Sequence, residues 1–234
     1  QCPTCGQEAV QLDDEAVKRC VNPQCPSILK EALKHFVSRN AINIDKLGAR
    51  LTEVFYEQGL VNSFSDLYRI KADQILALDR QGEKWTENII KSIEKSKKTD
   101  LHRLIYALGI RFVGEQTART LASHFKSIDN FLNTNEEELL DLPDVGPKVA
   151  QSIIGALSQK SFHNEVKSLL QLGVETKKIK TSQGQGGKLS GMSFVVTGTL
   201  PLSRNEVQDM IRNNGGAVAS SVSQKTSVLV AGEK

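Results

Sequence analysis

The 234-residue chain has no long apolar run, little net charge and no cysteine beyond residue 25. A membrane-spanning helix needs roughly 18 or more consecutive apolar residues, so the missing run argues against a membrane protein. A net charge of +3 is too small to indicate a nucleic-acid-binding protein by itself. The chain lacks a secretory signal and opens on Gln1 and Cys2 rather than on methionine, so we expect a fragment of a longer protein.

Charge is distributed unevenly along the chain. Residues 36–170 carry equal numbers of acidic and basic side chains, whereas residues 171–188 are mainly basic. If the central region binds nucleic acid, its affinity therefore does not come mainly from long-range electrostatic attraction. Backbone groups and locally placed side chains would have to make the contacts.

All four cysteines lie in two short motifs near the start, CPTCG and CVNPQCP. Two facing turns of this kind place thiolates at the corners of a tetrahedron, about 2.3 Å from a zinc ion. Two disulfides or unpaired core cysteines are the alternatives, and a redox C-x-x-C motif would leave the second pair unexplained. The spacing favours a structural zinc ion with no ligand position left for a substrate. Its predicted ligands are Cys2, Cys5, Cys20 and Cys25.

The middle of the chain contains one motif four times: IDKLGARLTEVF, LDRQGEKWTENI, IRFVGEQTARTL and LPDVGPKVAQSI. The central glycines lie 34, 32 and 32 residues apart. An apolar residue stands four positions before each glycine and another seven after it, with a long polar residue two after it and a small residue four after it. Such a period indicates one supersecondary unit used repeatedly, here a helix, a tight hairpin and a second helix.

Each glycine leaves the backbone uncovered where the second helix of its repeat begins. Free N–H groups and the positive end of the helix dipole meet there, and together they can bind an anion such as a DNA phosphate. Plain helical packing with glycine caps is the alternative, but four copies at near-constant spacing favour a DNA-binding helix–hairpin–helix motif. The predicted contacts are Gly48, Arg50, Gly82, Lys84, Gly114, Gln116, Gly146 and Lys148.

Two features depart from the commonest form of this motif. A further glycine usually stands two residues earlier, but Lys46, Arg80, Phe112 and Asp144 occupy those positions. Gln81 also replaces the apolar residue directly before the second glycine. In the fourth copy we expect Gly146 to hold a backbone conformation that other residues avoid, and Pro147 to begin the helix.

The end of the chain combines a tether with a small α/β segment. KKIKTSQGQGGK, residues 177–188, is basic and rich in Gly, Ser and Gln, which is typical of a flexible tether. It is not a phosphate-binding P-loop, because Leu189 follows its last lysine where Ser or Thr is required. Beyond it, strand–helix–strand alternation with a helix from about Arg204 to Asn213 predicts a small parallel sheet with one face uncovered.

In this order the parts resemble the C-terminal half of a bacterial NAD-dependent DNA ligase. CPSILKEALKHFVSRNAINIDKLG and LIYALGIRFVGEQTARTLASHF are specific to that family, and GKLSGMSFVVTGTL with NNGGAVASSVSQKTSVLVAGEK resembles a BRCT domain. The resemblance implies a mainly α fold in four parts. These are a four-cysteine zinc finger (1–26), a domain of four helix–hairpin–helix repeats (27–172), a flexible basic linker (173–188) and a partial α/β BRCT module (189–234).

The resemblance also implies that the parent enzyme seals nicks in duplex DNA during replication and repair, through a lysine adenylate, with NAD as adenylate donor and with magnesium. The family's adenylated lysine lies in a K-x-D-G motif, and the nearest match here, KADQ at Lys71, has Gln74 in place of the glycine. We therefore assign no catalytic residue. We expect the chain to be inactive alone, to bind structural zinc but neither NAD nor magnesium, and to grip the DNA backbone without sequence preference.

Two other functions compete with this interpretation. A non-enzymatic repair or replication scaffold could carry the same modules, with the BRCT segment recruiting a partner, and a K-x-D-G motif upstream in the reading frame would exclude it. An excision-repair nuclease subunit could carry similar repeats, but the cysteine motif and the BRCT-like segment argue against it. The expected partner is double-stranded, nicked DNA and not a membrane, and the expected location is the bacterial cytoplasm, in association with the nucleoid.

Overall fold

A computed structural model of the chain describes residues 1–11, 16–78, 82–177, 188–202, 204–219, 221–223 and 226–232. The chain divides into two compact units, residues 1–179 and residues 180–234. Within the described ranges, no helix is both long and apolar enough to cross a membrane.

The first unit opens with a short hairpin that carries the cysteine motifs. Strand β1 (Ala9–Val10) pairs antiparallel with β2 (Arg19–Cys20), with Ala9 opposite Cys20. Helix α1 (Pro26–Val37) follows directly, with Cys25 as its N-cap and Pro26 at its first position. Proline suits that position because its missing N–H would have no helical partner there. The helix therefore begins one residue before the boundary predicted from the sequence.

The rest of the first unit is helical. Its helices are α2 (Ala49–Glu57), a 3₁₀ turn (Ser65–Tyr68), α3 (Ala72–Leu76), α4 (Glu83–Ser96), α5 (Leu101–Ala107), α6 (Glu115–Phe125), α7 (Ile128–Leu132), α8 (Glu136–Leu140), α9 (Pro147–Leu157) and α10 (Lys160–Gln171). Helices α2, α4, α6 and α9 each begin directly after one of the four repeat glycines. The four repeats predicted from the sequence are therefore present as helix starts.

The repeat positions form the core of this unit. The small residues four after each glycine, Thr52, Thr86, Ala118 and Ala150, are all buried. The apolar residues seven after each glycine, Phe55, Ile89, Leu121 and Ile153, are fully buried. They belong to one continuous apolar cluster that extends from Leu33 to Val174. Close packing at these positions explains the period of the sequence, because each repeat contributes the same two side chains to one core.

A short parallel strand pair closes the first unit. Strand β3 (Lys98–Thr99) pairs with β4 (Glu175–Thr176), and the amide of Lys177 donates to the carbonyl of Thr99 at 2.8 Å. The predicted linker, residues 173–188, therefore overlaps a strand at its start. The propensity of so short a segment carried no strand signal, since the pairing depends on a partner about 75 residues away. Residues 178–187 of that linker lie outside the described part of the chain.

The second unit contains a three-stranded parallel sheet and one helix. Strand β5 (Ser193–Thr197) lies between β6 (Ala217–Ala219) and β7 (Val228–Ala231). Helix α11 (Arg204–Asn213) has the bounds predicted from the sequence, and it packs Ile211 against Phe194 and Val196 of the sheet. The predicted fold class is confirmed: a mainly α chain with a four-cysteine end and a small α/β segment.

Candidate zinc centre and nucleic-acid interface

The four cysteine sulfur atoms converge on one point. All four lie within 4.8 Å of one another, with Cys2 and Cys25 buried and Cys5 and Cys20 half-buried. The Cys2 and Cys25 sulfurs are 3.8 Å apart, and those of Cys5 and Cys20 are 3.6 Å apart. A disulfide requires about 2.05 Å, whereas a zinc–sulfur distance of about 2.3 Å gives a tetrahedron whose edges are about 3.8 Å. The donor set fits structural zinc and does not fit two disulfides.

Backbone hydrogen bonds hold both cysteine turns in shape. The amide of Cys2 donates to Gln7 at 2.7 Å, and the amide of Gly6 donates to Cys2 at 2.9 Å. Gly6 has a φ of 72°, which a glycine adopts at little cost. In the second motif the amide of Cys25 donates to Asn22 at 3.0 Å. These hydrogen bonds define the two turns that present the sulfur atoms.

The same backbone amides favour thiolates at part of the site. Amides of Cys5 and Thr4 lower the pKa of the Cys2 thiol to about 6, and the amide of Gln7 lowers the pKa of Cys5. The amide of Asn22 also favours a Cys20 thiolate, but desolvation and the neighbouring sulfur atoms outweigh it and raise the pKa of Cys20 to about 12. A zinc ion at the centre would favour the thiolate form of all four cysteines, because thiolates are the form that binds the metal.

The cysteine cluster is continuous with the helical part of the unit. Cys25 is the N-cap of α1, and its carbonyl accepts the amide of Leu29 at 3.0 Å. The hydroxyl groups of Thr4 and Ser27 lie 2.8 Å apart and join the first cysteine turn to the same helix. A metal bound by Cys25 therefore fixes the start of α1.

The first, third and fourth hairpins share one turn geometry. In each, the amide directly before the glycine donates to the carbonyl three residues earlier, at 3.1, 3.1 and 3.3 Å: Leu47 to Ile44, Val113 to Ile110, and Val145 to Leu142. The third residue of each turn has a positive φ: 64° at Lys46, 63° at Phe112 and 67° at Asp144. This is the pattern of a type II turn, in which proline suits the second position and glycine the third. Pro143 occupies that second position in the fourth hairpin.

This geometry explains the missing first glycines of the motif. The sequence departs from the usual glycine at three described positions, but the backbone keeps the left-handed conformation that glycine would provide. A residue with a side chain reaches that conformation at a cost of roughly 1–2 kcal/mol. At these three positions the chain therefore differs from the commonest form of the motif in its side chains and not in its backbone conformation. The corresponding residues of the second hairpin, Arg80 and Gln81, lie outside the described part of the chain.

The repeat glycines themselves are in ordinary extended conformations. Their φ values are −78° at Gly48, −90° at Gly82, −83° at Gly114 and −86° at Gly146. The expectation that Gly146 needs a conformation closed to other residues is wrong, because the positive φ falls two residues earlier in the turn. A Cβ added at any of the four glycines would meet no atom within 4 Å. Neither backbone strain nor internal packing accounts for these glycines.

Each repeat places its polar residue beside its glycine on the first helical turn. Arg50, Lys84, Gln116 and Lys148 are all exposed. The amide four residues after each glycine closes the first helical bond onto the glycine carbonyl, at distances of 2.9–3.0 Å. The amides of the first helical turn before that one have no carbonyl four residues earlier within the helix. In the fourth copy Pro147 has no amide and that of Val149 also donates to the Gly146 carbonyl at 3.0 Å, which leaves the amide of Lys148. Helix start, exposed glycine and polar side chain therefore recur together in every copy.

Sequence reasoning missed how the third hairpin is anchored. The hydroxyl of Ser152 on α9 donates to the carbonyl of Arg111 at 2.8 Å, so the third hairpin is tied to the helix of the fourth repeat. The Arg111 guanidinium lies over the ring of Phe112, 4.4 Å from its centre, and that ring is 50% exposed. The repeat alignment marked Phe112 as a departure but carried no signal for its contacts.

Three protein-family models match successive parts of the chain. The NAD-dependent DNA ligase C4 zinc finger domain matches residues 1–26, the helix-hairpin-helix motif matches residues 103–166, and the BRCA1 C Terminus (BRCT) domain matches residues 184–234. The order of the three matches is the order of parts seen in the sequence. The second match covers the third and fourth hairpins.

The chain is similar over its whole length to proteins named DNA ligase. It is 52% identical to one from Bdellovibrio bacteriovorus over 233 residues, which cover 100% of this chain and 34% of the relative. It is 46% identical to one from Carboxydothermus hydrogenoformans, covering 99% of this chain and 35% of the relative, and 42% identical to one from Bacillus subtilis, covering 100% and 36%. The chain thus spans about a third of the length of these relatives.

Proposed function

Because the chain belongs to the NAD-dependent DNA ligase family, we propose that it is the C-terminal, duplex-gripping part of a ligase that seals nicks in DNA. The relatives that match it from end to end are ligases, which favours this function over a non-enzymatic repair scaffold. Replication and repair both supply nicked duplex, which we propose as the natural ligand. The corresponding place of action is DNA in the bacterial cytoplasm.

The observation that carries this proposal is the empty space around the four repeat glycines. Each has a negative φ and an empty space where a Cβ would stand. Neither packing nor backbone conformation requires glycine at these four positions. A ligand that approaches the backbone closely would explain why all four copies have glycine there. At a helix start that ligand is an anion, because amide groups and the positive dipole end both favour negative charge there.

A DNA phosphate fits the site better than other anions. The same helix start occurs four times in one domain, and a DNA strand offers many phosphates, so several of these starts could contact one strand. Lys84 and Lys148 add a charge beside the amides, and Arg50 and Gln116 add hydrogen-bond donors. These contacts read no base sequence, so the grip would serve a nick at any position.

The zinc ion has a structural role in this proposal. Four sulfur ligands complete its coordination, and no position stays open for a substrate. When bound, it supplies folding energy to a segment with little apolar core and fixes the start of α1 through Cys25. In a nick-sealing ligase, NAD and magnesium serve adenylate transfer, for which we assign no residue of this chain.

Binding to nicked duplex at several salt concentrations tests the proposal. The double variant Lys84→Ala with Lys148→Ala removes two charges from two hairpins. We expect weaker binding for every sequence and a salt slope reduced by about two units, near one per lost phosphate contact. The matched control is Lys160→Ala with Lys167→Ala, which removes the same charge from α10 and should leave the slope nearly unchanged. An unchanged slope in the hairpin variant would show that the hairpins pack against protein instead.

A further inference from the structure

A basic groove lies beside the first hairpin, in a region that is neutral as a whole. Its volume is about 410 Å³, and it is lined by the first hairpin, one face of α4, strand β3, the start of α5 and the residue after β4. Six of the lining side chains are basic: Lys46, Lys91, Lys95, Lys98, Arg103 and Lys177. Only Asp45 and Asp100 among the lining residues are acidic.

Half of these cations have counter-charges or acceptors of their own. The Lys91 ammonium lies 2.5 Å from Glu87, and that of Lys177 lies 3.4 Å from Asp100. The Arg103 guanidinium donates to the carbonyl of Arg39. By contrast, Lys46, Lys95 and Lys98 have no ion-pair partner among the residues that the structure describes. The groove therefore keeps a positive excess after its internal pairs are counted.

The fold holds these charges together. Lys91 and Lys95 stand one turn apart on α4, and like charges at that spacing repel each other. Lys98 lies in β3, and the amide of Lys177 is bonded to the carbonyl of Thr99, so the β3–β4 pair places both lysines at one wall. Such an arrangement is unfavourable without an anion, because each lysine adds to the potential at its neighbours.

The lining also decides the chemistry of the ligand. Pockets for drug-sized molecules are lined mainly by apolar and aromatic side chains, whereas Ile42 is the one apolar residue among the described residues that line this groove. Lysine ammonium groups bind phosphates as point charges, without demanding a fixed orientation. Asp45 and Lys46 belong both to the groove and to the turn that precedes Gly48. The groove therefore adjoins the helix start that follows Gly48.

We propose that this groove binds the phosphodiester backbone of the DNA strand that leaves the first hairpin. The proposal rests on the DNA-gripping function above and adds a second contact, formed by α4 and the β3–β4 pair outside the four hairpins. The groove contributes affinity without sequence preference, as phosphate contacts do. It also supplies the local charge that the balanced central region lacks overall.

The double variant Lys95→Ala with Lys98→Ala tests this contact on the full chain with zinc bound. We expect binding to nicked duplex to weaken for all sequences alike, and the salt slope to fall by about two units. The variant Lys95→Arg with Lys98→Arg keeps both charges and should retain the wild-type slope. Lys160→Ala with Lys167→Ala is the control for the lost charge, and hydrogen exchange of α4 checks that the helix stays folded.

Two outcomes would overturn the groove proposal, and both leave the hairpin proposal open to its own test. A slope unchanged in the Lys95 and Lys98 variant but reduced in the Lys84 and Lys148 variant would place the phosphates at the hairpins alone. The second outcome would come from a titration with inorganic phosphate, monitored by amide chemical shifts. If the groove variant loses phosphate binding but keeps its full affinity for duplex, the groove is a site for small free anions.

Discussion

Glycines serve opposite purposes in the two units of this chain. In the second unit, a Cβ on Gly232 would lie 2.1 Å from the carbonyl oxygen of Thr199, and one on Gly216 would lie 2.7 Å from Ile211. In the first unit, a Cβ on any of the four repeat glycines would meet nothing within 4 Å. At Gly232 the backbone of the second unit leaves no room for a side chain, and at Gly216 the side chains of Ile211 and Phe194 leave none. The first unit uses glycine where the protein leaves room for something else.

This contrast separates packing from binding at the level of single residues. A glycine in a crowded place is required by the fold, whereas a glycine with ordinary φ, empty space and a position directly before a helix start is the kind that we propose to serve a ligand. The same sequence letter therefore carries two kinds of information, and only the surrounding atoms distinguish them. Substituting Gly216 or Gly232 should destabilise the second unit and leave DNA binding unchanged. Substituting the repeat glycines should impair DNA binding and leave the stability of the first unit unchanged.

The largest expected effect is the loss of zinc from the four-cysteine segment at the start of the first unit. The start of the first unit depends on metal ligands, and apparent zinc-binding free energies of such sites are roughly 10–16 kcal/mol. Cys20→Ser should reduce bound zinc from one ion per chain to nearly none, because three sulfur ligands hold the ion poorly. Metal analysis combined with hydrogen exchange of residues 2–11 checks this. Full zinc content in the variant, or both cysteine pairs oxidised in the wild type, would contradict it.

Next in size is the crowded glycine of the second unit. Gly232→Ala should destabilise that unit by about 3 kcal/mol, at the upper end for overpacking, because the clash is with backbone that has no rotamer to change. Faster hydrogen exchange in β5 with unchanged exchange in α6 would show it. Gly155→Ala in α9, where an added Cβ meets nothing within 4 Å, is the matched control. It should stabilise its helix by about 0.5–1 kcal/mol. Equal effects of the two changes would refute the contrast.

A smaller effect of the opposite sign is expected at Asp144. Its φ of 67° suits glycine, so Asp144→Gly should raise the free energy of unfolding by up to about 1 kcal/mol. It should also strengthen DNA binding, because a carboxylate beside the proposed phosphate site is removed. Asp144→Asn removes the charge but keeps a side chain, and should therefore strengthen binding without the stability gain. Thermal unfolding and duplex titration separate the two, and a loss of stability in the glycine variant would contradict the turn assignment.

The sequence predicted structure well where a residue type recurs at a regular spacing for one chemical reason, such as metal binding or helix packing. Four cysteines in two turns predicted the metal cluster, and the repeat period predicted the helices that begin after the four repeat glycines. The conformation of the hairpins was assigned to the wrong residue, since the sequence could not show that the positive φ falls on Lys46, Phe112 and Asp144. The alternation of the last segment predicted α11 and its sheet.

Features built from distant residues could not be predicted. Strand β4 has two residues and pairs only because α10 brings it to β3. The basic groove draws its lysines from residues 46 to 177, in a sequence whose central region is neutral. No local pattern signals either feature, because each depends on the packed arrangement of the helices.

Duplex binding by the double variant Gly114→Thr with Gly146→Thr tests the central claim most directly. Threonine and glycine are similar as N-caps, and both sites have extended backbone and empty space, so stability should change by no more than about 0.5 kcal/mol per site. The new side chains cover the amides, so affinity for nicked duplex should fall at least about tenfold, a loss of about 1.4 kcal/mol. Asn135→Thr, at the N-cap of α8, is the control and should bind normally. Unchanged affinity in the double variant, with normal folding, would show that no phosphate approaches these glycines.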